Sequence, residues 1–447
     1  MNWKHRVGGS WQTGVPKRRV EGEWRSIDAR DHRDPVDFDG DGTGFDEEAG
    51  FADKQWFRDA CEDGDLEVVK VTNTDGDDSV GSYEWACNYS DDPTLVVFEV
   101  AGVIDAGGAD AGRSWYRPRS DNTYVAGQTA PSPGVTLIRS GLSANADNVI
   151  HEHYRVRPGD DVADPEAVEA IDLEDPQDNI IINHMSLGWA TDNNVSHKEE
   201  VMVTWANNMI VEPLYESSHS QSPGHNYGWN SDPDNEIAGF GNFMMSARRR
   251  NPRIHLRQDM MWVNNFSYNT GRYIAFRQSS VDYDDISTVV CIGNHYDHGS
   301  DDEFRGDEEY VYRPVKLYFE DNLSTPLDKD EIADPDSVIL DEPPYMPDFE
   351  PLPADETKDF VLTSAGARPA DVDSNGNRIR PEDQRPIDWA HEGGGHKWVG
   401  KNDDEYEYPN YDTVTRELDP PSDTSRLPEW LQHYTDEVEL GTENPLH

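Results

Sequence analysis

From about Leu66 to Leu323 the chain is written in short apolar runs closed by Asn, Asp or Gly. LEVVKVTN, TLVVFEVAG, DNVIHEHYRVRPG, DNIIINHMSLGW, EEVMVTWANNMIV, DMMWVNNFSYN and STVVCIGNHY are the clearest of them. Composition and bounding residues predict β-strands. Trp205-Ala206-Asn207-Asn208-Met209 and Trp262-Val263-Asn264-Asn265-Phe266 share the pattern W-x-N-N-Φ, where Φ is apolar, 57 residues apart. Irregular recurrence with Asn closing a strand reads as stacked rungs of a parallel β-helix. No rung buries its inner face alone, whereas stacking does, and aligned Asn side chains can hydrogen-bond up the stack. A β-sandwich would show cleaner two-residue alternation and hairpin turns. The expected fold class is therefore all-β, a parallel β-helix.

The flanks differ from this centre. Arg6–Trp11 reads RVGGSW and Arg19–Trp24 reads RVEGEW, a repeat of β-hairpin character with Gly for the turn and Trp for packing. The repeat resembles short modules of virion proteins of tailed viruses; a tandem duplication in an arm is the plainer account. Beyond about Pro326 the text turns acidic and Pro-rich, as in DEPPYMPDFEPLPADE, with one amphipathic stretch at Leu427–Val438. Three regions are expected: 1–60, an N-terminal extension; 61–326, the β-helix; and 327–447, an irregular acidic C-terminal region packed on the β-helix or extending from it.

Acidic residues number 90 against 38 Lys and Arg, giving a formal net charge of -52. Acids spread along the whole chain suit a protein dissolved in concentrated salt, where screening removes their self-repulsion. The same charge disfavours nucleic acid as a partner. No segment is long and apolar enough to span a bilayer, and the N-terminus has no apolar signal core. Either a leader has been removed or the general secretion route is not used. Cys61, Cys87 and Cys291 make no disulfide framework; a Cys61–Cys87 bridge stays open, and Cys291 in TVVCIGN reads as a buried thiol.

Against this charge, Ser246–Gln258, SARRRNPRIHLRQ, gathers Arg248, Arg249, Arg250, Arg253 and Arg257. Guanidinium forks suit carboxylates, so the cluster points to an anionic ligand; a salt-bridge patch among the acids is the plainer account. Asp37–Glu48, DFDGDGTGFDEE, fits the calcium-loop pattern D-x-D-x-D-G-x5-E, with Asp37, Asp39, Asp41 and Glu48 as ligands. Asp371–Glu382, DVDSNGNRIRPE, fits it too, although Pro381 spoils it as a helix entry. His391–His396, HEGGGH, is one residue too long for a zinc-helix H-E-x-x-H and too rich in Gly, and is rejected.

Several stretches together resemble polysaccharide lyase family 1, the pectate-lyase-like right-handed parallel β-helices. They are Val125–Ile150, Tyr154–Asp160 (YRVRPGD), Ile180–Ser196 with Asn183 in place of the Asp of an I-D-H turn, Arg250-Asn251-Pro252-Arg253 as the R-x-P motif, and Asp359–Ala367 (DFVLTSAGA). The resemblance implies a right-handed β-helix and calcium-assisted β-elimination on a uronate polymer. Arg250 would be the base and Arg253 a second catalytic arginine, with Arg248 as a carboxylate clamp. Glu169 in VEAIDL and Asp192 in WATDNNVS would hold Ca2+. Ser196 stands where a third acid is often found, and His255 where many relatives carry another arginine. The family's Lys on the preceding rung has no counterpart between Lys198 and Lys316, so His219 or His225 would substitute.

Glu212–Glu236 reads as an insertion that builds a binding groove. Trp205 and Trp262, inside rungs, read as core, and Trp229 as a platform for a sugar ring. Two functions follow. One is a polysaccharide lyase acting on an acidic polysaccharide or cell-surface glycan. The other is a glycan-binding surface or virion protein, such as a tail spike of a halophilic virus, built on the same β-helix without turnover. Both place the protein outside the cell or on a virion, in high salt. Homo-oligomer or virion assembly stays open, with no coiled-coil heptads to enforce it.

Overall fold

A computed structural model describes residues 44–166, 168–174, 177–198, 201–271, 286–299, 314–325, 337–396, 400 and 406–446, together with the backbone of short strands at 3–7, 10–14, 17–20, 23–26, 276–277 and 311–312. Three long sheets make the body. One has eleven parallel strands, from Glu67–Val71 to Val338–Ile339. A second has ten, nine parallel strands from Val100–Asp105 to Leu323–Thr325 and Val414–Thr415 antiparallel at its edge. The third has five, from Trp115–Tyr116 to Tyr227–Ser231. The chain visits them in turn. Val149–Glu152, Arg155–Arg157 and Ile171–Leu173 each lie in a different sheet, and Gln177–Asn183 then pairs parallel with Val149–Glu152. This is a parallel β-helix.

The corner between the first two sheets explains the W-x-N-N-Φ pattern. Its first residue must turn the chain sharply. Asn207, Gly241, Asn264 and Gly293 do so with φ of 56°, 60°, 50° and 65°, the left-handed region that Gly and Asn tolerate best. The next residue is Asn208, Asn242, Asn265, Asn294 or Asn322. Their buried amides join rung to rung, with Nδ2 to Oδ1 distances of 2.9, 2.8, 3.1 and 2.7 Å. Backbone groups bent away from the sheets thus keep their partners.

The interior is filled by columns in register. Leu142, Ile171, Val195 and Trp229 face inward on successive strands of the five-stranded sheet. Trp205 and Trp262 lie wholly buried on either side of Trp229, at ring-centroid distances of 5.0 and 5.3 Å. Cys61, Cys87 and Cys291 are buried and unbridged.

The C-terminal region departs from an irregular tail. Besides the amphipathic helix, which spans Leu427–Leu440, it forms helices at Ala354–Ser364 and Pro381–Glu392. Acids in their first turns, Asp355 and Glu356 in one and Glu382 and Asp383 in the other, complement the helix dipole. Both pack on the coil: Val361, Leu362 and Ile387 join Phe243 and Phe266 in one apolar cluster. The last helix packs Leu427, Trp430 and Tyr434 with Leu95 and Ile150. HEGGGH closes the middle helix, with Gly393 as its left-handed cap.

At the other end each N-terminal repeat is an antiparallel hairpin, with Arg6 opposite Trp11 and Arg19 opposite Trp24. Among the described residues no helix is long and apolar enough to cross a membrane.

Candidate functional site

The five-stranded sheet carries the site. Alternate residues point away from the coil interior, and parallel register stacks them: Ser143, Asp172, Ser196 and Asn230 form one column, each of them buried. Isolated bridges continue the stack, pairing Asn230 with Arg253 and Tyr227 with Arg249. Two residues before the inward column stand Glu169, Asn193 and Tyr227, again on successive rungs. The arginine motif is therefore laid across rungs that already carry acids and amides.

Arg250 reaches back over two rungs. Its guanidinium lies 4.2 Å from the centre of the Tyr227 ring, and Nη1 donates to Asn193 Oδ1 at 2.6 Å. Asp192 Oδ1 is 3.8 Å away. The backbone of Arg250 sits at φ 63°, a strained conformation for a side-chain-bearing residue that suits a functional position. Burial, opposed by Asp192, lowers the affinity of Arg250 for its proton. Arg253 Nη1 donates to Asn230 Oδ1 at 3.2 Å. His255 Nε2 lies 3.6 Å from Asp232 Oδ1.

The acids form a ladder beside these cations. Glu169 is almost fully buried, and its carboxyl is raised well above the usual range by burial and by the charges of Asp172 and Asp192. Burial pushes Asp172 up to about 6. Asp172 Oδ1 is buried with no hydrogen-bond partner. A buried, partnerless carboxylate oxygen beside mutually repelling acids is a setting that a cation relieves, although the carboxylate oxygens of Glu169, Asp172 and Asp192 do not all lie within 4.8 Å of one another. Their present partners are Asn193 on Glu169 at 3.5 Å, Lys198 on Asp172 at 3.8 Å and His225 on Asp192 at 2.7 Å.

Several expectations take a different shape. Glu169, Asp192, Arg250 and Arg253 are brought together, and His225 joins them, but as the partner of Asp192. Its ring is 6 % exposed and stacks on His219 at 3.9 Å, so it presents little surface of its own. Trp229 is no sugar platform: it is 0 % exposed because its strand position, in register with Val195, points inward. Arg248 binds the carbonyl of Gly224 in the insertion at 2.8 Å, and its side chain is exposed beside the site. Arg257 is paired with Asp234 at 2.6 and 2.7 Å.

The calcium-loop residues Asp37, Asp39 and Asp41 lie outside the described residues. Glu48 is engaged by Arg58 at 2.8 Å and by the Lys54 amide at 2.8 Å. In the second loop, Arg368 holds Asp371 at 2.9 Å and Arg380 holds Glu382 at 3.0 Å.

Asp172, Asn193, Tyr227, Asn230 and Lys198 were not singled out from the sequence. Asp172 could have been, as the polar residue between two inward apolar ones in AIDL. In the sequence, Lys198 figured only as the last lysine before Lys316. It ends the rung that carries Asp192, and although burial opposes it, the charges of Asp172 and Glu169 raise its proton affinity.

Fold and site together define a parallel β-helix with an outward sheet of paired acids and arginines. No protein-family model matches the chain, and no curated protein matches it. Among solved structures it is similar to the cedar-pollen allergen jun a 1, at 13% identity and a TM-score of 0.47, covering 67% of this chain and 88% of that one. It is also similar to a Bacillus subtilis pectate lyase variant, at 11% identity and a TM-score of 0.46, covering 67% and 92%. A Bacillus pectate lyase in complex with trigalacturonate follows at 15% identity and 0.43, covering 67% and 93%. The β-helix itself rests on the strand pairing described above, and nothing in these likenesses links the N-terminal hairpins to virion proteins.

Proposed function

We propose that this chain is a polysaccharide lyase that binds an acidic, uronate-containing glycan along the outer face of the five-stranded sheet and cleaves it by β-elimination. The observation that carries the reading is Arg250: partly buried, stacked on Tyr227 and tied to Asn193, with its proton affinity lowered. The proton at C5 of a uronate is weakly acidic, so a base and a cationic surrounding are both needed. Arg250, in its neutral form, takes that proton. The electron pair left at C5 forms the C4–C5 double bond. The C4–O bond breaks with its pair on the leaving oxygen, which is protonated from solvent. Arg253 and Arg248 hold the uronate carboxylate, and His255 lies beside them. Ca2+ held by Glu169, Asp172 and Asp192 would add positive charge at that carboxylate.

One observation favours a second reading, a surface protein that binds the same glycan without turnover. Asp192 is already hydrogen-bonded to His225 at 2.7 Å and approached by Arg250 at 3.8 Å, and Ser196 holds the place of a third acid. The acid excess, with a net charge of -52, supports an extracellular protein working in concentrated salt.

Polygalacturonate and acidic surface glycans, incubated with the protein in high salt with calcium and analysed by mass spectrometry, separate the two. Shortened chains with an unsaturated end residue are expected. Retention of intact glycan with no shortened chains would establish the binding protein instead.

A further inference from the structure

A second cluster lies at the corner that bears the asparagine ladder, away from the acid-and-arginine sheet. His153 and His184 occupy the left-handed corner position on successive rungs, with φ of 62° and 47°, where later rungs use Asn207, Gly241, Asn264 and Gly293. Stacked rungs stack the rings: their centroids are 4.8 Å apart and their planes 10° from parallel. The C-terminal helix brings Glu439 to them. Glu439 Oε1 lies 3.1 Å from His153 Nε2 and 3.5 Å from His184 Nε2. The three residues are 0, 1 and 8 % exposed.

The hydrogen bonds fix the tautomers. His153 Nδ1 contacts the carbonyl of Ala367 at 2.9 Å, and His184 Nδ1 the carbonyl of Gly366 at 3.1 Å. A carbonyl only accepts, so each Nδ1 carries the proton and each neutral ring turns an Nε2 lone pair toward Glu439. His153 Nε2 has no hydrogen-bond partner, although it is wholly buried and aimed at the carboxylate. One ligand atom of each of the three residues lies within 4.8 Å of the others in this buried corner, a convergence that suits a shared cation. The nearby cations are committed elsewhere: Lys54 to Glu47 and Glu152, and Arg368 to Asp371.

Imidazoles whose Nδ1–H is held by a backbone carbonyl, with Nε2 toward a carboxylate, are arranged as metal ligands usually are. At zinc bond lengths of about 2.0–2.1 Å, tetrahedral donors lie about 3.3 Å apart, and the two nitrogen–oxygen distances fall on either side of that value. Two nitrogens and one carboxylate oxygen suit a borderline-soft cation, whereas calcium prefers an all-oxygen set.

We propose that His153, His184 and Glu439 bind one divalent transition-metal ion of the zinc class, which pins the C-terminal helix to the corner of the β-helix. No step of the proposed lyase reaction depends on it.

The test uses the full chain, stripped with a chelator and titrated with Zn2+ in calorimetry and with Co2+ in visible spectroscopy. One equivalent is expected, with a Co2+ spectrum of nitrogen and oxygen ligation and a raised unfolding temperature. His153→Gln and Glu439→Gln should each abolish that equivalent. His225→Gln, which removes the histidine–carboxylate pair of the other site, should keep it. Should the corner variants fail to fold, the wild-type stoichiometry and the His225→Gln control decide alone. No uptake by folded wild type would overturn the proposal and leave a proton on Glu439 as the bridge. An equivalent lost in His225→Gln would overturn it too.

Discussion

The guanidinium of Arg250 lies over the ring of Tyr227, 4.2 Å from its centre, and reaches past it to Asn193 on the next rung back. Tyr227 is thus the surface on which the proposed base is aimed. Tyr227→Ala should lower kcat by about 100-fold, the scale of an ångström-sized misplacement of a reacting group. Tyr227→Phe keeps the aromatic face and should stay close to wild type. Steady-state kinetics on polygalacturonate check this, and equal losses in the two variants would contradict the stacking role.

Trp229 is a core residue, packed between Trp205 and Trp262. Trp229→Ala should cost about 3–5 kcal/mol of stability, the usual range for emptying a buried aromatic site. Glycan affinity per folded molecule should not change. Denaturant unfolding and binding isotherms on the same variant check both halves; weaker binding at unchanged stability would show that Trp229 meets the ligand.

Asn265 sits in the middle of the amide ladder. It accepts from the amide and the side chain of Asn242 at 3.0 and 2.8 Å and donates to Gly239 at 2.9 Å. Asn265→Ala leaves these groups buried and unpaired, at a cost of at least about 2 kcal/mol. Asn322→Ala, on the last rung of the ladder, strands fewer partners and should cost less. Thermal unfolding of the pair checks the order; a reversed order would remove the ladder as the organising feature of the corner.

The buried histidines should make stability depend on pH well above the ordinary carboxylate range. Burial lowers His151 and His197 to about 3. Their unfolded value is about 6.5, so the unfolded chain takes up protons that the folded chain refuses. The stability they contribute is fully present above about pH 6.5 and is lost as the pH falls toward 3. The slope is up to about 1.4 kcal/mol per pH unit for each histidine. Glu152 adds to the loss further down: against its burial, Lys54 holds it near 2. Glu169 and Asp172, raised by burial, and Glu439, pushed up by burial to about 8, act in the opposite direction over the same range. The histidine contribution is therefore read as the unfolding free energy of wild type minus that of a His151→Phe, His197→Phe variant at constant high salt, and this difference should fall between about pH 6.5 and 4. A flat difference there would mean that these histidines are hydrated in the native state.

The coil was legible because its signal is local. The two W-x-N-N-Φ segments carry the turn residue, the ladder residue and the inward Trp in one short pattern, and the structure puts Asn207 and Asn264 at the turn and Asn208 and Asn265 in the ladder. The arginine motif and the acids Glu169 and Asp192 were reached differently, from the resemblance of short motifs to those of the pectate-lyase-like family and not from strand periodicity. Trp229 was misread because the Glu212–Glu236 insertion breaks the count from rung to rung, and only the pairing of Trp229 with Val195 shows which way it faces. The helices at Ala354–Ser364 and Pro381–Glu392 were missed because their acids and prolines resemble a solvated tail. Their packing surface, Phe243 and Phe266, lies on rungs far earlier in the chain. The His153–His184 pair was invisible for the same kind of reason, since the third member, Glu439, arrives from the last helix.

The central claim is that Arg250 takes the C5 proton of a bound uronate. Ultraviolet absorbance of unsaturated uronate ends, followed with polygalacturonate in high salt and calcium for wild type and Arg250→Ala at matched glycan occupancy, tests it most directly. The account predicts a steady rise for wild type and a rate lower by about a thousandfold in the variant, within the range expected for loss of a general base. A variant as fast as wild type, or a wild type that binds the glycan and gives no rise, would contradict it.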